Sequence, residues 1–118
     1  MKKREGSFSR NLGRHILYAE DLVALYDVYA KAGVSAKLVI ETGSGVYEFE
    51  KPEELSVSEL EGLGVPFGAS LHYTSHNPYV ALTMTRFETR LYVGENDFIA
   101  RGVSEKLVER LASCASSR

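Results

Sequence analysis

The sequence predicts an α+β fold: a single domain in which an antiparallel sheet of about four to five strands is covered on one face by an N-terminal and a C-terminal helix. Three observations carry this expectation. Residues 37–50 and 79–93 each alternate apolar and polar side chains with the two-residue period of a half-buried strand. Each stretch is interrupted once, as a hairpin would be. Near the two ends of the chain, apolar residues recur at three- and four-residue steps, giving two amphipathic helices whose stripes need a sheet to cover.

Size and composition agree with one domain. The chain has 118 residues, 44% hydrophobic and 25% charged, which suits one globular core. A net charge of -2 gives no field that would hold a polyanion, so nucleic acid is disfavoured. The single cysteine, Cys114, makes no internal disulfide and no thiolate metal site, and a cytoplasmic location fits that usage. No window approaches the roughly 20 apolar residues of a membrane span, and the basic start Met1-Lys2-Lys3-Arg4 has no apolar run after it. Direct membrane insertion is therefore not expected.

Taken in order, residues 1–10 read as a flexible basic arm carrying Lys2, Lys3, Arg4 and Arg10, ahead of a single domain over 11–115. Arg14 to Tyr18 fits either a short strand or the first turn of a helix. From Ala19 the helix is clear: Leu22, Leu25, Tyr26 and Tyr29 share a face, Glu20 and Asp21 sit in the first turn, Lys31 in the last, and Gly33 suits the cap. Tyr18, Tyr26 and Tyr29 read as residues at the rim of the core with wet hydroxyls.

Leu38 and Ile40, then Tyr47 and Phe49, define one apolar face of the first hairpin around Thr42-Gly43-Ser44-Gly45. This turn explains its glycines without a phosphate, because the segment after it has a strand pattern. Pro52-Glu53-Glu54 reads as one helical turn. Residues 56–62 are ambiguous: Ser56 and Glu59 have capping-box spacing, yet the alternation also fits a thin strand or extended connection, the expected form. Gly62 to Gly68 is a breaker-rich crossing. Ser70 to Thr74 reads as a strand, Ser75-His76-Asn77-Pro78 as a turn, and 79–93 as the central hairpin. Beyond Asp97, Ile99, Val103, Leu107, Leu111 and Cys114 mark a closing helix placed from about Val103, with Gly102 either weakening it or marking a close approach to the sheet; 116–118 fray.

No specific catalytic or cofactor signature is present, so no cofactor, metal or catalytic residue is assigned. His72 and His76 would stand about 13 Å apart on a strand, too far for one ion. Cys114 falls at a helix C-terminus, the wrong pole for a thiolate. What remains is contact chemistry. The outer face of the central hairpin carries Tyr79, Thr83, Thr85, Arg90 and Tyr92, which points to a protein-protein interaction or regulatory module, an adaptor or a self-associating part without activity of its own. The alternative is a small enzyme or ligand-binding domain with a pocket near His72 and Tyr73. A third reading, RNA binding, would use Arg86, Arg90 and Arg101 with Tyr79, Phe87 and Tyr92.

Overall fold

A computed structural model describes residues 7–63, 70–94 and 97–114. Six strands, β1 (Phe8–Gly13), β2 (Ala36–Thr42), β3 (Gly45–Phe49), β4 (Ser70–His76), β5 (Tyr79–Met84) and β6 (Thr89–Val93), form one sheet in the order β1-β6-β5-β4-β2-β3. Every pairing is antiparallel. Helices α1 (Ala19–Lys31) and α3 (Phe98–Ala112) pack on the same face, and a short helix α2 (Val57–Gly62) leans against α1.

The α+β class and the two covering helices stand as expected; the strand number is corrected from four or five to six. The added strand is β1. Phe8, Ser9 and Arg10, read from sequence as part of a flexible arm, pair instead with Val93, Tyr92 and Leu91 of β6. Residues 1–6 and 115–118 of the expected arm and tail lie outside the described residues.

The helices are fixed by their ends as much as by their stripes. In α1 the Asp21 carboxylate accepts the Tyr18 amide at 2.9 Å, and Gly33, at φ +73°, lets the Val34 amide reach back to Tyr29 O at 3.0 Å. In α3 the Asp97 carboxylate accepts the Ala100 amide at 2.7 Å, so the helix begins five residues before Val103. Gly102 makes no close approach to the sheet: a methyl group added there would meet nothing within 4 Å.

Residues 57–62, expected as strand or extended chain, are helical. The Ser56 hydroxyl accepts the Glu59 amide at 3.2 Å, satisfying one of the free donors of the first turn, and the helix buries Leu60 completely. Capping outweighs a weak alternation that only one turn of helix was needed to explain.

Between helices and sheet lies one core, with Leu22, Leu25, Leu38, Ile40, Leu60, Leu82 and Leu107 fully buried. Burying each such side chain stabilises the fold by about 1.5–3 kcal/mol. Three tyrosines stand at its centre. Tyr29 and Tyr73 stack at 6.0 Å between ring centroids, with Tyr26 tilted beside them at 6.4 Å from Tyr73. Tyr26 and Tyr29 are therefore core residues and not the rim residues expected from sequence. Their hydroxyls are dry but satisfied: Tyr26 donates to Ala36 O at 2.7 Å, Tyr29 to Val80 O at 2.9 Å and Tyr73 to Leu22 O at 2.6 Å. Each bond ties α1 to a different strand, β2, β5 or β4.

Candidate functional site: the open face of the sheet

Alternation along each strand decides what lies on the face away from the helices. In β5, Val80, Leu82 and Met84 point to the core, so Tyr79, Ala81 and Thr83 point outward; in β6, Thr89, Leu91 and Val93 point inward, so Arg90 and Tyr92 point outward. Register then aligns these side chains across strands. Lys37, Thr74, Ala81, Tyr92 and Ser9 form one row, and Val39, His72, Thr83, Arg90 and Asn11 form the next. The described helices pack on the other face, so this one has no helical cover among the described residues.

Of the five expected contact residues, four come together. The Tyr79 and Tyr92 rings meet edge to face at 5.6 Å, and His76 extends the strip at 5.9 Å from Tyr79. Thr83 stands opposite Arg90 and donates to its carbonyl at 3.4 Å. The strip is held from beneath by Gly94, whose amide donates to Tyr79 O at 2.9 Å. A Cβ at Gly94 would lie 2.9 Å from Tyr79 Cβ, so only glycine allows this approach.

Thr85 has a different task. Its hydroxyl accepts the Phe87 amide at 3.1 Å and the Glu88 amide at 3.3 Å, closing the β5–β6 loop. Arg90 is held by Glu88, Nε to Oε1 and Nη2 to Oε2, both at 3.3 Å, while Asn11 donates to the same carboxylate at 2.7 Å. This local network neutralises the arginine and fixes its direction. His76 is the member of the strip that sequence reasoning missed as a contact residue; its place one turn residue from Pro78, directly opposite Tyr79, was the available signal.

The two residues of the alternative pocket, His72 and Tyr73, are not brought together by the fold. The two residues are consecutive in β4 and therefore face opposite sides: His72 is exposed on the open face and Tyr73 is fully buried in the core. Burial pushes the Tyr73 phenol well above its ordinary value, with Tyr29 and Asp21 adding to the shift, so it remains protonated. The basic-aromatic set is also divided. Arg86 lies over the Phe87 ring at 5.1 Å at the loop, whereas Arg101 belongs to α3 in the other layer. Cys114 is half-buried, donates to Arg110 O at 3.2 Å, and is pushed up to about 11 by burial and then by the Asp21 carboxylate, against the opposing pull of Arg110.

Among the described residues no three or more His, Cys, Asp or Glu side chains gather as a metal group would, and no helix is long and apolar enough to cross a membrane. Compared with protein-family models, curated proteins and solved structures, the chain matches none.

Proposed function

We propose that this chain is a protein-interaction module, regulatory or adaptor in role and without catalytic activity of its own, that contacts partners through the open sheet face, a second copy of itself among them. The observation that carries this reading is the ring strip His76–Tyr79–Tyr92 on a sheet face with no helix over it among the described residues. Tyrosine offers large contact area at low entropic cost, and edge-to-face packing already fixes these rings before a partner arrives. Thr83 and the Glu88-bound Arg90 beside them form the polar rim that interfaces of this kind use. A cytoplasmic setting accords with the single, half-buried cysteine.

The test compares wild type with the double substitution Arg90→Ala and Tyr92→Ala in pull-down and in oligomeric state. Loss of bound partner or of self-association, with the fold intact by circular dichroism, is the expected result. An unchanged partner set and unchanged oligomeric state would remove the surface assignment.

A further inference from the structure

A second surface lies at the opposite edge of the sheet. Among the described residues β3 is an edge strand, paired on one side only, with β2. The two-residue turn Gly43-Ser44 makes Thr42 and Gly45 the closing pair. The antiparallel pattern then directs the amides and carbonyls of Gly45, Tyr47 and Phe49 to β2 and those of Val46 and Glu48 away from the sheet. Beyond them the edge is closed: the Glu50 and Lys51 amides both donate to Glu54 Oε1 at 2.9 Å. The free edge is thus a short stretch centred on Val46 to Glu48.

An open groove of about 590 Å³ runs along this edge. Val46 and Glu48, from one side of the strand, and Tyr47 and Phe49, from the other, all line it, so it follows the edge itself and not one face of the sheet. Its far wall is α2 with the residue after it, through Glu59, Gly62 and Leu63. The lining is apolar at Val46, Tyr47, Phe49 and Leu63 and acidic at Glu48 and Glu59. Residues 48–61 carry six glutamates against one lysine, Lys51; the neighbouring Lys37 of β2 stands 3.9 Å from Glu48 and 3.8 Å from Glu50.

We infer that this groove binds an extended, basic segment of a partner protein, which adds a strand to β3. Main-chain pairing with Val46 and Glu48 supplies the register, alternate apolar side chains enter beside Tyr47 and Leu63, and the lysines or arginines between them face Glu48, with Glu59 of α2 adding to the negative field of the groove. Charge decides the occupant: an acidic strand would meet Glu48 and Glu59 of the lining with like charge, in a stretch already rich in glutamate. The inference does not rest on the ring strip His76–Tyr79–Tyr92 of the open face, whose residues belong to β4, β5 and β6.

The test titrates 15N-labelled full chain with three capped hexapeptides: alternating lysine and valine, alternating glutamate and valine, and the lysine peptide with every second amide N-methylated. The lysine peptide is expected to shift the amides of Val46 to Phe49, Glu59 and Leu63 and to leave Tyr79 and Tyr92 unmoved. Binding at least tenfold weaker is expected for the glutamate peptide and for the N-methylated one. Two variants separate the contributions. Glu48→Pro removes an outward amide, which an edge strand tolerates, together with the carboxylate, and should abolish the pairing; Glu48→Gln with Glu59→Gln removes the charge alone, keeps the edge and should erase only the preference for lysine. No shift at the groove, as when the chain's own residues fill it, would overturn the inference. So would equal binding of the lysine and glutamate peptides, or shifts confined to the open face.

Discussion

The same six strands present two faces of opposite character. The inner face carries Leu38, Ile40, Tyr73, Leu82 and Leu91, each nearly or fully removed from water beneath α1 and α3; the outer face carries Lys37, Val39, His72, Thr83 and Arg90, one residue along in each strand. A single step along the chain separates the core from the proposed contact surface. Stability thus resides on the inner face and, in the proposed function, recognition on the outer one: substitutions on the first should unfold the protein, and substitutions on the second should change what it touches.

The sharpest way to break this comparison is a pair of neighbours in β5. Leu82→Ala should cost about 2–5 kcal/mol in a denaturant titration, because it removes a fully buried side chain from a packed core. Thr83→Ala should stay within about 0.5 kcal/mol. Comparable costs for both would dissolve the two-faced account.

Next comes an outer-face position where the backbone itself makes the close approach. Gly94→Ala places a methyl group 2.9 Å from Tyr79 Cβ, an atom too close to the backbone to swing away. A loss of about 1–3 kcal/mol is expected, measured by thermal unfolding, together with displaced Tyr79 and Tyr92 ring resonances. Full stability with unmoved rings would contradict the close approach.

Tyr73→Phe sharpens the inner side. It keeps the stacked ring and deletes the hydroxyl that donates to Leu22 O, so about 0.5–1.5 kcal/mol should be lost. Tyr92→Phe, on the open face, should cost less than Tyr73→Phe by the same unfolding assay.

The smallest effect is a pH dependence. His15, whose Nδ1 lies 2.9 Å from Thr89 Oγ1, is held below its ordinary value of 6.5 by burial. The unfolded chain therefore binds the proton first as pH falls, and stability declines from 6.5 downward until the folded value is reached. His15→Gln should flatten that part of the stability profile measured in denaturant.

How far these faces were legible in the sequence depended on how local their causes are. The central hairpin announced itself because every second residue of β5 and β6 is buried, a pattern that a period of two exposes directly. β1 did not: Phe8 to Asn11 are exposed, and the strand is defined by its backbone pairing with β6, which has no side-chain signature. α2 has six residues, too few for a helical period to outvote an alternation. The tyrosine spacing in α1 gave the correct face, but whether Tyr26 and Tyr29 ended at a rim or in a core depended on Tyr73, far along the chain in β4. His72 and Tyr73 were adjacent as letters and are divided by the sheet.

Light scattering after size exclusion, on wild type and on Tyr92→Ser across a concentration series, tests the open-face contact most directly. The account predicts a molar mass that rises above 13.1 kDa with concentration for wild type and stays at 13.1 kDa for the variant. A wild-type chain that remains at 13.1 kDa throughout, or a variant that associates as wild type does, would contradict it.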